Sequence, residues 1–152
     1  MFRGLRVGYV VVPRDLIGAF VTAKWMADRH TPLVEQSALA DFIAEGHLER
    51  HVRRMRRLYK RRRDVMLEAL DRHFGGRALV RGDAAGLHMT VRFTSVRDLR
   101  ARAERAGVHI SSSDIYYMNR TRPSAGTEYI FGFAAVTEGV IRESIRRLAV
   151  RD

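Results

Sequence analysis

Hydrophobic positions along this chain follow one pattern up to residue 13, a second up to residue 74, and a third beyond it. Met1 to Pro13 is a nearly continuous apolar run with Arg3 and Arg6 embedded. Such runs mark strands buried on both faces, which need neighbours to pair with and cover them, so the segment reads as the interior of a protein and not as its beginning. From Arg14 to Arg29, Leu16, Ile17, Phe20, Val21 and Trp25 recur at helical spacing and predict an amphipathic helix. Thr31 and Pro32 then supply a capping hydroxyl and a proline for the first helical position. Leu33, Leu39, Phe42 and Ile43 carry a second helix to Gly46, a left-handed stop. His47 to Phe74 contains no breaker, and its stripe of Leu48, Val52, Met55, Leu58, Met66, Leu70 and Phe74 predicts one helix about 40 Å long. Gly75-Gly76 ends it.

Alternation replaces the helical period in the second half. Ala78 to Val80, and Gly86 to Phe93 with Leu87, Met89, Val91 and Phe93 on one side, read as strands. Ser95 with Asp98 three residues on has the form of a capping box, opening a helix through Leu99 and Ala103 that Gly107 stops. Val108-His109-Ile110 predicts a short strand, Ser111 to Gly126 a polar loop, and Tyr129 to Ala134 another strand. Thr137 caps a last helix with Val140, Ile141, Ile145, Leu148 and Ala149 inward. The economical fold is α/β of the α+β kind: a helix pair and a long helix, then a small, mainly antiparallel sheet with helices on one face.

Composition narrows the partners. With 152 residues and 46% hydrophobic content the chain can bury one core, and without cysteine it has neither disulfides nor thiolate metal sites. No apolar run is long enough to cross a bilayer, and no charged leader precedes a cleavage site, so a soluble, cytoplasmic protein without membrane contact is expected. The formal charge of +11 concentrates in one place: Arg50 to Arg63 holds nine basic residues and no acid, leaving +2 for everything else. Only Lys24 and Lys60 accompany 26 arginines, a bias across the whole chain that weakens arginine content as a sign of nucleic-acid contact.

Leu5-Arg6-Val7-Gly8-Tyr9, followed by an apolar run and Pro13, resembles the segment just after the cofactor lysine in fold type I aminotransferase-like proteins. It is most similar to the MocR-type regulators of the GntR family, in which such a domain is fused to a winged-helix DNA-binding module. Segments similar to theirs follow in order: His30-Thr31-Pro32, Ala38 to His47, Ala85-Gly86-Leu87-His88 and Gly132-Phe133-Ala134. The resemblance implies that residues 1–46 end a large-domain-like segment and that 47–152 form the long helix and C-terminal small domain, the two making one structural unit. It implies pyridoxal 5'-phosphate as the parent protein's cofactor, bound weakly or not at all by this chain alone. Arg6 is the implied phosphate contact, a role that suits a planar guanidinium, although a strand arginine can equally reach solvent or pair with a carboxylate. The Schiff-base lysine would fall just before Met1, so the catalytic residue is expected to be missing. Pyridoxal phosphate or an amino-acid-like effector, a homodimer of the parent, and DNA bound through an N-terminal domain absent here complete the implied partners.

The remaining candidates sort by chemistry. Fold type I catalysis needs an amine at the cofactor, and neither Lys24 nor Lys60 occupies a matching motif, so the chain alone is not expected to transaminate. The family's substrate-carboxylate arginine aligns with Ile130, a departure that favours a sensor over an aminotransferase. His88 either faces a ligand or lies on the solvent side of its strand. His47 and His51 have the spacing of a metal pair but lack a third ligand, and no metal is expected. Ser111-Ser112-Ser113-Asp114 has no histidine assigned to it for a nucleophilic triad. The expected function is therefore the effector- or cofactor-sensing part of a MocR-type regulator. A small nucleic-acid-binding protein acting through the 50–63 helix, and a fragment of a true aminotransferase, are the alternatives.

Overall fold

The computed structural model describes residues 7–30, 32–84, 86–117 and 127–150. The chain divides into two compact units, residues 1–53 and 54–152, with the division falling inside the long helix.

In the first unit, Val7 to Pro13 does not form the expected buried strand: Tyr9, Val10 and Val11 are 94%, 66% and 85% exposed. No strand lies beside it among the described residues, so its backbone has no ladder partner there. A 3-10 turn at Arg14–Leu16 leads into α1 (Ile17–Asp28). This helix is not amphipathic as expected. Gly18, Ala19, Ala23 and Met26 extend its apolar surface around the axis, and it buries none of its side chains. Pro32 immediately precedes α2 (Leu33–Ala44) instead of occupying its first turn, while Thr31 lies outside the described residues. Gly46 then takes the left-handed conformation, φ +71°, with its N–H donating to the Ile43 carbonyl at 3.0 Å. The stop read from the sequence is the observed one. The long helix α3 spans His47–Phe74, as its unbroken period predicts.

The second unit is built on a sheet of order β1-β2-β4-β3, every pair antiparallel. Its strands are β1 (Ala78–Arg81), β2 (His88–Phe93), β3 (Ser111–Ser112) and β4 (Glu128–Gly132). Two helices complete it, α4 (Leu99–Arg105) and α5 (Glu138–Ala149). The short strand expected at 108–110 forms instead at Ser111–Ser112, because those are the residues that pair with Ile130 and Tyr129 of β4. The capping box at Ser95 does not form either. Asp98 directly precedes α4 with φ +54° and no side-chain cap. Thr137 does cap α5, its Oγ1 accepting from the Val140 N–H at 3.4 Å. Val140 itself turns outward, and Ile141, Ile145 and Leu148 carry the buried stripe. On the outer side of α5, Glu143 accepts from both Arg146 and Arg147 at 2.7 Å, and those hydrogen bonds hold its carboxyl down at about 2.

The core lies between one face of the sheet and the helices. Met66, Ala69, Leu70 and Phe74 of α3 meet Met89, Val91 and Phe93 of β2 and Tyr129 and Phe131 of β4, with Leu99, Ala103, Ile141, Ile145 and Leu148 closing the cluster. Phe93 is its hub. It stands edge-on to Phe74 at 5.0 Å and lies 6.3 Å from Tyr129 and 6.0 Å from Phe131, centroid to centroid. Several arginines of the basic run serve this unit internally. Arg62 donates to the Ala134 carbonyl, Arg63 to the Asp83 carbonyl at 3.4 Å, and Arg61 pairs with Glu138 at 3.7 Å. Phe93→Ala should therefore lower the unfolding free energy by about 3–5 kcal/mol, measured by chemical denaturation, and more than any single substitution among Arg53, Arg54 and Arg57.

Candidate functional site

Strand alternation that buries Met89, Val91, Phe93, Tyr129 and Phe131 sends the intervening residues to the opposite, uncovered face. The ladder arranges them in rows across the sheet. Arg81 faces Thr90, Thr90 faces Ile130, and Ile130 faces Ser111. One row further along the strands, Arg92 faces Glu128; in the other direction His88 faces Gly132. Over this face lies a cavity of about 840 Å³. His88, Thr90, Ile130 and Gly132 line it together with Arg81, His109, Ser111, Ser113, Tyr116, Tyr117 and Glu128.

One side of it holds a hydrogen-bonded cluster around the buried carboxylate of Glu128. The Tyr117 hydroxyl donates to Glu128 Oε1 at 2.6 Å and the Ser113 hydroxyl at 2.9 Å, while Arg92 reaches Oε2 at 3.4 Å. Burial alone would raise the carboxyl pKa. The hydrogen bonds from Tyr117 and Ser113 and the charge of Arg92 outweigh that effect, and Glu128 titrates below its ordinary value. The same bond to Glu128, reinforced by burial, pushes the Tyr117 hydroxyl up. Glu128 is thus an ionised acceptor already satisfied by its neighbours.

The sequence candidates part company here. His88, Ile130 and the serines 111 and 113 come together at the cavity. Ser112 instead accepts from the Asp114 N–H at 3.2 Å. Arg6, the implied phosphate contact, lies outside the described residues. The ammonium groups of Lys24 and Lys60 are each bonded at 2.6 Å to the carboxylate four residues on, Asp28 and Asp64. His47 contacts Glu45 at 2.9 Å and stacks on Phe42. Glu128, Tyr117, Arg81, Arg92 and His109 carry no sequence motif of their own. The one available signal is parity: 128, 130 and 132 share a face, as do 88, 90 and 92. His109 Nε2 lies 3.4 Å from Ser111 Oγ, a histidine two residues before the serine run.

Comparison with known proteins matches this geometry to a class. The alpha-aminoadipate aminotransferase LysN of Thermus thermophilus, solved with N-(5'-phosphopyridoxyl)-L-leucine, superposes with a TM-score of 0.78 at 27% identity over 96% of this chain and 37% of its own. The fold is that of a fold type I aminotransferase segment, from a family that works with pyridoxal phosphate. No family model matches the chain. Its sequence is 33% identical, over 97% of its length, to the probable rhizopine catabolism regulatory protein MocR of Rhizobium meliloti, and 31% identical over 95% to an uncharacterized HTH-type transcriptional regulator of Bacillus subtilis. The chain spans about a third of the length of these relatives, 30% and 31%. The chain is similar to the aminotransferase-like part of MocR-type regulators. These relationships do not favour the reading as a free-standing nucleic-acid-binding protein, and the inward bonds of Arg62 and Arg63 agree.

Because the Glu128 carboxyl is held below its ordinary value of 4.5, its contribution to stability is complete above that value and is lost as pH falls through the folded-state value. Glu128→Gln should lower the unfolding free energy by about 1–3 kcal/mol near neutral pH. The gap between variant and parent should shrink on acidification, read from urea denaturation across the acid range.

Proposed function

We propose that this chain is the sensing portion of a MocR-type regulator and that the uncovered face of its sheet forms one wall of the pocket for pyridoxal phosphate and an effector. The observation that carries this reading is the cavity over Thr90, Ile130 and Gly132, set on a fold shared with aminotransferases. An aldehyde cofactor supplies an electrophile for an amine. The described cavity contains no lysine, so these residues can shape and charge the pocket but not tether the aldehyde. The apolar Ile130 at the position aligned with the family's carboxylate-binding arginine supports sensing over turnover. Arg6 is the residue assigned to the cofactor phosphate.

The remaining partners follow from the same reading. Helices α1 and α2 bury none of their side chains and expose Phe20, Trp25, Leu33, Val34 and Ile43, surface suited to cover by the rest of the parent protein and its dimer mate. DNA would be bound by a separate N-terminal module of the parent, in the cytoplasm. Among the described residues no helix is long and apolar enough to cross a membrane.

Incubating the chain with pyridoxal phosphate, reducing with borohydride and mapping modified peptides tests the assignment. We expect no stoichiometric label at either lysine. Specific labelling of Lys24 or Lys60, abolished by the corresponding Lys→Ala change, would overturn it. In the parent protein, Arg6→Gln should weaken cofactor binding by about tenfold or more, measured by spectrophotometric titration.

A further inference from the structure

The outer side of α5 lies across the core from the cavity and is a second unfilled surface. Ile141, Ile145 and Leu148 face the core, while Val140 turns outward at 49% exposure. A groove of about 320 Å³ runs along one side of the helix, between α5 and α3, lined by Val65 and Ala69 together with Arg72 and Arg142. Another of about 360 Å³ runs along the other side, against Ala106, Gly107 and Val108. Arg146 and Arg147 connect the two grooves to a smaller hollow at the ends of α4 and α5, which Arg102 and Arg105 also line.

Among the described residues, Gly139 and Glu143 alone line both grooves. They stand one helical turn apart on the ridge between them, and Gly139 puts no side chain on that ridge. A Cβ built at Gly139 meets nothing within 4 Å and its backbone is ordinary helix, so neither packing nor backbone angle requires glycine there. The gap allows one elongated body to fill both grooves while crossing α5 at close range. Charge selects that body. The acids at the grooves are already engaged, Glu68 by Arg72 at 3.4 Å and Glu143 by Arg146 and Arg147 at 2.7 Å. Arg102 and Arg142 have no ion pair among the described residues.

We propose that this face of α5 docks an acidic amphipathic helix of a partner protein, its apolar side chains in the two grooves, its backbone passing over Gly139 and its carboxylates on Arg102 and Arg142. Grooves with apolar floors and cationic rims suit a protein segment that carries both kinds of side chain. A nucleic-acid duplex would engage the arginines through its phosphates and leave Val65, Val108 and Val140 unfilled. Guanidinium groups pair with carboxylates bidentately, so the two arginines fix the register of the docked helix as well as its charge. This surface is separate from the pocket wall assigned to cofactor and effector, and both faces of the domain can be occupied at once.

Two-dimensional amide NMR of the whole chain provides the test, titrated with a synthetic amphipathic helix of leucine, alanine and glutamate. The probes for comparison are the same peptide with lysine in place of glutamate, a leucine-free glutamate peptide and a mixed-sequence DNA duplex. Saturable shifts at Val108, Gly139, Val140 and Glu143 are expected with the amphipathic acidic peptide alone. Arg102→Glu combined with Arg142→Glu should weaken its binding by about tenfold or more. Gly139→Leu should abolish it while the spectrum keeps its folded dispersion. If that variant unfolds, Val140→Glu on the same exposed ridge supplies the same reading. Non-saturating shifts, an equal response to the lysine or the leucine-free peptide, tighter binding of the duplex, or unchanged affinity in the variants would overturn the inference. Such failures would leave the borohydride mapping unaffected, so the two readings fall separately.

Discussion

The structure depends on one constraint: a four-stranded antiparallel sheet has helices on only one side. Met89, Val91, Phe93, Tyr129 and Phe131 must all point toward α3, α4 and α5, and pleating then forces His88, Thr90, Arg92, Glu128, Ile130 and Gly132 to the other side. A slip of β4 by one residue against β2 would exchange the two sets, putting Glu128 against Phe93 and Phe131 into water. The register is held chiefly by the apolar cluster, because β3 contributes only two residues to the ladder. Core packing and site chemistry are thus two readings of the same alternation.

The polar side of the sheet adds its own lock. Glu128 next to Tyr129 and Phe131 would be costly in so apolar a neighbourhood were its oxygens not filled by Ser113, Tyr117 and Arg92. These donors come from β2 and from the turn after β3, so satisfying one carboxylate ties a central strand pair to an edge. Arg92 also faces Glu128 directly in the β2–β4 ladder, a cross-strand pair of opposite charge.

Periodicity makes the helices and the longer strands legible from the sequence. The extent of His47 to Phe74, the stop at Gly46 and the cap at Thr137 all agree with the structure, because the signals there are local and unopposed. Local signals fail where tertiary pairing decides. The Ser95 hydroxyl loses its capping role when Ser95 and Asp98 both take positive φ on the way from β2 to α4. β3 lies three residues further along because the ladder with β4 selects Ser111 and Ser112. The apolar run before Pro13 has the composition of a strand, but pairing is not a property of one segment. Within the site, His88 and Ile130 can be found by motif and parity. The Tyr117–Glu128 bond cannot, since it joins residues eleven apart whose meeting depends on where β4 starts.

That bond has a consequence for how such a domain can diversify. Tyr117 and Glu128 stand at the two ends of the stretch 118–127, and their contact pins both ends at the base of the cavity. Closing a longer stretch between fixed ends adds only a small, logarithmic entropy cost. Insertions and replacements between the pinned ends can therefore accumulate without disturbing the β2–β4 register, and a lineage can change the length of that stretch while inheriting an unchanged cavity floor.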